Sequence, residues 1–233
     1  MRPSRTWLKA LPASAALTVA LAAVAVVSPW GDEAPAPYDP EPLPPGAPVA
    51  VVIGDSFTSG SDENQGPEWP ELLGQSLGWR VVREAIPGTG YVGARQGPTF
   101  GQRVDDALRH RADVYIVAGG FNDKKDPLLQ VTAAASDVVA RLHREAPAAK
   151  VVLVSSFSNG DPRQPILDQT AALREVAESQ DVLWVDATRF LPSGEGLIGN
   201  DRVHPTDDGH HRLATEMAKA LDQVDPTLQE ALR

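Results

Sequence analysis

Cysteine is absent from the 233-residue chain. This absence excludes disulfide bonds, a thiolate nucleophile, zinc bound by cysteine and a lipid anchor attached through cysteine. The fold therefore has to be stabilised by packing alone. With 42% hydrophobic residues, the chain is long enough to bury one good core, and no second domain is required.

Positive charge is scarce as well. The chain has 21 lysine and arginine residues against 31 aspartate and glutamate residues, which gives a net charge of −10. Nucleic-acid-binding proteins usually carry a basic patch or stripe, and none is evident here. The charge balance therefore predicts no nucleic-acid partner and favours a soluble protein that acts on neutral substrates.

Several well-known catalytic motifs are also missing. The chain contains no Gly-x-Ser-x-Gly nucleophile elbow, no Walker-type phosphate loop and no His-Glu-x-x-His zinc motif. One C-terminal cluster does contain residue types that bind metals: Asp201, His204, Asp207, Asp208, His210 and His211. Successive helical residues point in different directions, so His210 and His211 do not converge on one ion, and we expect neither a metal nor a cofactor.

The longest apolar run lies near the N-terminus. Arg2, Arg5 and Lys9 precede an uncharged run at residues 10–27, which is typical of an export signal. Because this run is nearly long enough to cross a bilayer, residues 1–30 are predicted to be either a cleaved signal peptide or a signal anchor that inserts residues 10–29. We therefore expect an exported protein, either secreted or anchored at the outer face of the cytoplasmic membrane in the cell envelope.

A proline-rich, acidic segment follows at residues 31–48. Such a segment cannot pack a core and is predicted to form an extended spacer. The folded domain is therefore predicted at residues 49–222, with a short C-terminal tail at residues 223–233.

Beyond the spacer, short β-branched apolar runs alternate with helical patterns. The runs predict buried parallel strands at residues 49–53, 79–86, 113–118, 150–155 and 182–186. The helical patterns fall at residues 69–77, 100–110, 131–146, 165–179 and 206–221. This alternation predicts an α/β domain with a doubly wound, five-stranded parallel sheet.

Residues with useful chemistry follow four of the five predicted strands. They are Ser56 after the first strand, Gly88 after the second, Asn122 after the third, and Asp201 and His204 after the fifth. The carboxyl ends of parallel strands lie along one edge of the sheet, where ligands of open α/β folds bind. We therefore expect these residues to lie together.

A serine hydroxyl is a weak nucleophile unless a base removes its proton and donors stabilise the oxyanion. Asp201 stands three residues before His204, so one loop could fix the tautomer and the orientation of the imidazole. Each block taken alone also has a purely structural interpretation. Gly-Asp-Ser and Pro-Gly-Thr-Gly are common turn sequences, and the Asp201–His204 segment could belong to the cap region of a helix.

Together and in this order, the four blocks resemble the SGNH (GDSL-type) hydrolase family over residues 49–221. The resemblance implies a three-layer α/β/α, flavodoxin-like fold and an esterase or lipase activity. It also implies a catalytic triad of Ser56, His204 and Asp201, and an oxyanion hole formed by the Ser56 and Gly88 amides and the Asn122 side chain. The second block matches the family pattern least closely, because residues 83–85 read Arg-Glu-Ala where asparagine is frequent.

Aromatic residues at the predicted strand ends and nearby loops are candidates for substrate binding: Phe57, Tyr91, Phe121 and Phe157. The glycine-rich residues 90–100 could form either a mobile lid over the site or an ordinary long loop. An acylated carbohydrate and a lipid ester both fit the resemblance as substrates.

Two other functions remain as alternatives on the same fold. An SGNH O-acyltransferase of the cell envelope would use the same triad and exclude water in favour of an alcohol acceptor. A catalytically inactive envelope-binding protein would keep the fold as a scaffold. Product analysis with an acceptor distinguishes the first from a hydrolase, and active-site labelling distinguishes the second.

Overall fold

The computed structural model describes residues 42–93, 95 and 97–231. The predicted export segment and the predicted spacer up to residue 41 lie outside the described residues. Within the part of the chain that is described, no helix is both long and apolar enough to cross a membrane.

The centre of the domain is a five-stranded sheet in which every neighbouring pair of strands is parallel. The strands are β1 (Val49–Gly54), β2 (Arg80–Ala85), β3 (Val114–Ala118), β4 (Lys150–Val154) and β5 (Leu183–Val185). Their spatial order is β2-β1-β3-β4-β5. The chain therefore winds in opposite directions from β1, and the crevice at the carboxyl ends of β1 and β3 is the topological switch point where ligands of such sheets bind.

Helices cover both faces of the sheet, which confirms the predicted three-layer α/β/α fold. The helices are α1 (Ser56–Ser59), α2 (Trp69–Leu77), α3 (Val104–Arg109), α4 (Leu128–Glu145), α5 (Ile166–Ser179), α6 (Asp207–Val224) and α7 (Leu228–Ala231). Apolar side chains of α2 and α6 pack on one face of the sheet, whereas those of α3, α4 and α5 pack on the other.

The central strands have apolar residues on both faces because both faces are covered. Val51, Val52 and Ile53 of β1 are each 0% exposed, and the side chains of successive residues point to opposite cores. These two apolar layers hold the carboxyl ends of β1 and β3 in place.

The helices differ from the prediction at several places, and α4 begins at Leu128, three residues before its predicted start. The helix expected at residues 100–110 begins as a 3-10 turn at Gly101–Arg103 before α3. The last long helix continues to Val224, and Leu228, in the predicted C-terminal tail, is buried. The four-residue helix α1 is too short to produce a periodic pattern, so the sequence alone did not indicate it.

The end of the predicted spacer packs onto the domain. Ala47 is 9% exposed, and its N–H donates to the Pro44 carbonyl at 3.1 Å. The Pro48 carbonyl accepts a hydrogen bond from the Arg80 N–H at 2.8 Å. Residues just before the predicted boundary at residue 49 therefore contact the domain.

Candidate active site

Ser56 lies in the sharp turn that joins β1 to α1. Asp55 caps this helix, because its Oδ1 accepts the Phe57 N–H at 3.0 Å. The turn requires glycine at position 54, since a Cβ there would overlap with the Thr58 side chain. Ser56 is the first residue of α1 and is 8% exposed. Its hydroxyl is therefore held at the carboxyl edge of the sheet by backbone that cannot easily move.

A chain of hydrogen bonds connects Ser56, His204 and Asp201. Ser56 Oγ lies 2.8 Å from His204 Nε2, and His204 Nδ1 lies 2.5 Å from Asp201 Oδ2. An ionised carboxylate can only accept hydrogen bonds, so Nδ1 carries the proton and donates it to Asp201. Nε2 is then free to accept the Ser56 hydroxyl proton, which is the arrangement that a general base requires.

The Asp201 carboxylate also holds its own loop. Its Oδ1 accepts the Val203 and His204 N–H groups at 2.8 and 2.9 Å. Partial burial acts in the opposite direction, but the hydrogen bonds from His204 and Val203 together lower the pKa of Asp201 below its usual range. The carboxylate is therefore ionised at neutral pH and can stabilise a protonated imidazole.

The end of this hydrogen-bond chain at His204 and Asp201 is open to solvent. The side chains of His204 and Asp201 are 23% and 36% exposed, respectively. The Arg202 residue between them has a φ of 60°, a left-handed conformation that is unusual for a residue with a Cβ. The histidine and the aspartate therefore lie on an exposed, tightly turned loop rather than at the bottom of a deep cavity.

The Gly88 and Asn122 blocks lie beside this turn, as predicted. Asn122 Nδ2 donates to the Thr89 carbonyl at 2.9 Å and lies 3.4 Å from Asp55 Oδ2. Gly88 has a φ of 71°, which places it in the left-handed region that favours glycine. The Ser56 and Gly88 N–H groups have no acceptor among the turn, loop and capping contacts of the described residues. Neither N–H group is therefore used in the contacts that shape these turns.

Asp55 contacts both the turn that carries Ser56 and the Asn122 side chain. Its side chain is 0% exposed. Burial raises the pKa of Asp55 to about 7, although the hydrogen bond from the Phe57 N–H lowers it, and the Asp123 carboxylate adds to the rise. This carboxyl group therefore changes its charge near neutral pH while remaining in contact with the site.

Arg103 is a supporting residue that the sequence analysis missed. It is 2% exposed and donates to the Gly54 carbonyl at 2.9 Å, to Thr89 Oγ1 at 3.0 Å and to the Glu84 carbonyl. Burial lowers the pKa of Arg103 to about 10, which still leaves it charged at neutral pH. A signal was present, because Arg103 stands three residues after the buried Phe100, on the apolar side of its helix.

Asp123 is a second residue that the sequence analysis missed. Its carboxylate accepts the N–H groups of Tyr91, Val92 and Gly93 at 2.9, 2.9 and 2.7 Å, respectively. The loop after Gly88 is also closed by a 2.8 Å hydrogen bond from the Phe100 N–H to the Gly90 carbonyl. Hydrogen bonds therefore hold the loop at residues 90–93 and again at residue 100. This favours the ordinary loop over the mobile lid.

Most of the aromatic residues proposed for substrate binding lie in the interior. Phe57 and Phe157 are each 1% exposed and stack on each other with ring centroids 5.8 Å apart. Tyr91 is 3% exposed and packs against Phe100. Only Phe121 of the four is partly exposed, and the Lys124 ammonium group lies 3.4 Å from its ring centroid. These rings therefore pack mainly in the interior beside the site and expose little surface that a substrate could contact.

The histidines and aspartates near the C-terminus separate into distinct structural roles. His210 is buried, and its Nδ1 accepts the Trp69 N–H at 3.2 Å. Asp207 Oδ1 accepts the Gln65 and Gly66 N–H groups, both at 2.8 Å. Among the described residues, no group of three or more histidine, aspartate or glutamate side chains is arranged to hold a metal ion.

Comparison with known proteins identifies the family and several relatives. Residues 52–212, which are more than half of the chain, match the GDSL-like lipase/acylhydrolase family. A GDSL lipase of Mycobacterium tuberculosis is 29% identical over 189 residues, which cover 75% of this chain and 81% of the relative.

Solved structures share the fold. A family two carbohydrate esterase from Clostridium thermocellum, in complex with cellohexaose, has a TM-score of 0.63 at 18% identity and covers 80% of this chain and 66% of that chain. A catalytic mutant of an acetylxylan esterase from Geobacillus stearothermophilus has a TM-score of 0.60 at 20% identity and covers 75% of this chain and 94% of that chain. Identities this low show a common fold, whereas the match of residues 52–212 shows the family. The chain therefore belongs to the GDSL-like lipase/acylhydrolase family and is an ester-cleaving hydrolase.

Proposed function

We propose that the protein is a serine esterase in which Ser56, His204 and Asp201 form the catalytic triad. The observation that carries this proposal is the continuous hydrogen-bond chain from Ser56 Oγ through His204 to Asp201, with distances of 2.8 and 2.5 Å. Ser56 Oγ attacks the ester carbonyl while His204 Nε2 takes the hydroxyl proton. The protonated imidazole, stabilised by Asp201, then gives that proton to the leaving alcohol.

Water completes the cycle in a second acyl transfer, in which water is the nucleophile and Ser56 Oγ is the leaving group. His204 Nε2 removes a proton from a water molecule, whose oxygen attacks the acyl carbonyl carbon. When the tetrahedral intermediate collapses, Ser56 Oγ leaves and takes back the proton from His204. The products are a carboxylic acid and the regenerated serine.

The proposed oxyanion hole consists of the Ser56 N–H, the Gly88 N–H and the Asn122 side-chain amide. The two backbone groups have no other acceptor among the turn, loop and capping contacts of the described residues. One Asn122 amide hydrogen is used by the Thr89 carbonyl at 2.9 Å, while the 3.4 Å contact with Asp55 is long for a hydrogen bond. The second amide hydrogen, whose other contact is this long one, is the proposed donor to the oxyanion.

The test of the triad is covalent labelling. An organophosphonate should modify Ser56 in the wild-type protein and nothing in Ser56→Ala, as read by mass spectrometry of peptides. Ser56→Ala should lose essentially all hydrolysis of a short-chain aryl ester while its circular dichroism spectrum and melting temperature stay close to those of wild type. An adduct on another residue, or near wild-type turnover by Ser56→Ala, would contradict the proposal.

For the substrate, we propose an ester of an acylated carbohydrate. The exposure of His204 and Asp201, at 23% and 36% of their side chains, suits a bulky or polymeric substrate better than a deep apolar pocket would. Two structural relatives are named as a carbohydrate esterase and an acetylxylan esterase. A lipid ester is the second candidate, because the relative from Mycobacterium tuberculosis is named a GDSL lipase.

A panel of substrates distinguishes the two candidates. The proposal expects the highest kcat/KM for acetylated oligosaccharides and a decrease with acyl chain length on aryl esters. A steady increase with chain length would favour the lipid ester. The same reactions run with an added sugar alcohol separate a hydrolase from an acyltransferase, since transfer yields a new ester in place of free acid.

We further propose that the protein is exported through residues 1–30. The support is the basic start and the apolar run at residues 10–27 of the sequence. Fractionation of cells that express the full-length chain should place it outside the cytoplasm. Ala23 and Ala25 form a small-x-small cleavage site, so a mature N-terminus at Val26 would identify cleavage. Retention of residues 10–29 in the membrane fraction would identify an anchor, and a cytoplasmic, uncleaved protein would contradict export.

A further inference from the structure

The loop that follows the nucleophile contacts the loop that carries the histidine and the aspartate. The first, called here the nucleophile loop, comprises residues 60–68 between α1 and α2. The second, called here the acid–base loop, comprises residues 198–206 before α6. Ser56 lies just before the first loop, and Asp201 and His204 lie in the second, so any contact between the two loops bears on the triad.

Glu63 of the nucleophile loop binds the backbone of the acid–base loop with both carboxylate oxygens. Its Oε2 accepts the Asn200 N–H at 2.8 Å, and its Oε1 accepts the Asp201 N–H at 3.1 Å. Hydrogen bonds to a charged acceptor are stronger than those between neutral groups. One side chain therefore holds the backbone of the triad aspartate directly.

A reciprocal contact runs in the other direction. Asp207, at the start of α6, accepts the Gln65 and Gly66 N–H groups with one oxygen, both at 2.8 Å. Each loop is thus bound by a carboxylate from the opposite side, and each carboxylate takes two consecutive N–H groups. Together, the two contacts limit both the shift and the rotation of one loop relative to the other.

The Glu63 carboxylate lies so close to the backbone of the acid–base loop that position 199 requires glycine. A Cβ at Gly199 would overlap with the Glu63 carboxylate, although the backbone of Gly199 lies outside the left-handed region and would itself accept alanine. The glycine is therefore needed for the space that Glu63 occupies. Because the overlap involves only the end of a flexible side chain, alanine at this position would displace the carboxylate without disturbing much else.

The nucleophile loop is stiff enough to act as a support. The Ser61 N–H donates to Asn64 Oδ1 at 3.0 Å, and the Glu63 N–H donates to Ser61 Oγ at 3.2 Å. Asn64 is 8% exposed and donates to the Gly66 carbonyl at 3.2 Å. Glu63 is therefore held relative to the turn that carries Ser56.

The acid–base loop has few other hydrogen bonds that set its position. The isolated bridge between Ile198 and Pro205 and a 2.8 Å hydrogen bond from the Gly199 N–H to the His204 carbonyl lie within the loop and define its shape. From another part of the described chain, Asn159 Nδ2 donates to the Arg202 carbonyl at 2.6 Å. Glu63 adds the constraint at the backbone of Asp201 itself.

We propose that Glu63 is a positioning residue of the active site, which sets the place of Asp201 and hence of the His204 imidazole relative to Ser56 Oγ. The inference rests on the proposed triad. A displacement of about 1 Å in a catalytic group can lower the rate by about 100-fold. Loss of Glu63 should act on kcat more than on KM, because Glu63 lies behind Asp201 rather than beside the substrate.

The test compares Glu63→Ala with Asp62→Ala in the full-length protein. Asp62 is the exposed neighbour on the same loop, and its side chain makes no hydrogen bond among the described residues, so it controls for loss of one negative charge. We expect Glu63→Ala to lower kcat by about 10- to 100-fold with KM changed less than about 3-fold. Asp62→Ala should stay within about 2-fold of wild type.

A double-mutant cycle separates positioning from a general loss of folding. Gly199→Ala should lower kcat nearly as much as Glu63→Ala, since it displaces the carboxylate while keeping its charge. Adding Gly199→Ala to Glu63→Ala should cause little further loss, because the overlap no longer exists. All values of kcat are normalised to the fraction of protein that an organophosphonate labels at completion, and the labelling rate should fall in parallel with kcat.

Two results would overturn the proposal. One is a normalised kcat for Glu63→Ala equal to that of Asp62→Ala. The other is a Gly199→Ala loss that adds in full to the Glu63→Ala loss. If Ser56→Ala itself retained turnover, the triad would be wrong instead, so failure of the positioning role and failure of the proposed function give different results.

Discussion

The Asn122 side-chain amide has one structural role and one proposed catalytic role. It binds the Thr89 carbonyl at 2.9 Å, which connects the third block to the loop after Gly88, and it is the proposed third donor to the oxyanion. We expect Asn122→Ala to lower kcat by roughly 100- to 1000-fold with little change in KM, because an oxyanion donor acts mainly in the transition state. Steady-state kinetics on a soluble aryl ester measure this effect. A change in KM alone would remove Asn122 from the oxyanion hole and leave it the structural contact with Thr89.

Asp55 makes the stability of the domain depend on pH. Its pKa is raised to about 7 in the folded protein against an ordinary value of 3.8, because it is buried. Between about pH 4 and pH 7 the folded state therefore binds a proton that the unfolded state has released. The contribution of Asp55 to stability is fully present below about pH 4 and is lost as the pH rises through about 7.

The variant Asp55→Asn should remove this dependence. The free energy of unfolding of Asp55→Asn relative to wild type should rise between pH 4 and pH 7 by on the order of 1 kcal/mol per pH unit, and stay level outside that range. Urea denaturation at pH 4, 5.5 and 7 measures it, with the exposed Asp62→Asn as the control. A difference from wild type that does not change with pH would show that Asp55 ionises in the folded state as it does in the unfolded chain.

At the scale of elements, Arg103 joins three segments that meet at the site. Its guanidinium group binds the end of β1 at the Gly54 carbonyl, the Glu84 carbonyl in β2 and the Thr89 side chain. Arg103→Met keeps the chain length but removes three hydrogen bonds donated by a charged group, while the Gly54 carbonyl keeps the Ile86 N–H as a donor at 3.3 Å. At about 1 kcal/mol for each lost hydrogen bond, we expect a loss of about 3 kcal/mol in the free energy of unfolding.

Chemical denaturation measures that loss, and Arg109→Met on the same helix is the matched control. The Arg109 side chain is 73% exposed, so its replacement should change stability by less than about 0.5 kcal/mol. Equal stabilities of the two variants would mean that the carbonyl groups bound by Arg103 find water or other donors.

The strands could be predicted from the sequence to within one or two residues because four of the five are short, mainly apolar runs between turn residues. The approach of His204 to Ser56 could be predicted, because Ser56 directly follows β1, His204 lies in the connection between β5 and α6, and parallel strands bring their carboxyl ends together. The roles of Glu63 and Asp123 could not be predicted. Both residues lie in polar segments without periodicity, and their hydrogen-bond partners lie in other loops, far along the chain. The supporting contacts of a site depend on how loops meet, which a periodic pattern does not describe.

At the scale of the whole molecule, stability and site geometry depend on different contacts. The two apolar layers on either face of the sheet bury most of the large side chains, whereas the polar contacts of Glu63, Asp123 and Arg103 collect at the carboxyl end of the strands. The segment before β1 lies at the opposite end of that strand from Ser56. Changes there should affect stability and leave ester turnover unchanged.

This separation can be tested by truncation. A chain that begins at Pro42 should keep the melting temperature and the kcat/KM of the full-length protein. A chain that begins at Val49 loses the buried Ala47 and the Pro48 carbonyl that accepts the Arg80 N–H at 2.8 Å. If these contacts contribute about 1–2 kcal/mol, the melting temperature should fall by about 3–6 °C. Calorimetry together with ester kinetics at 25 °C gives both quantities. Equal melting temperatures would show that residues 42–48 are only a spacer, and a fall in kcat/KM at 25 °C would show that they contribute to the site after all.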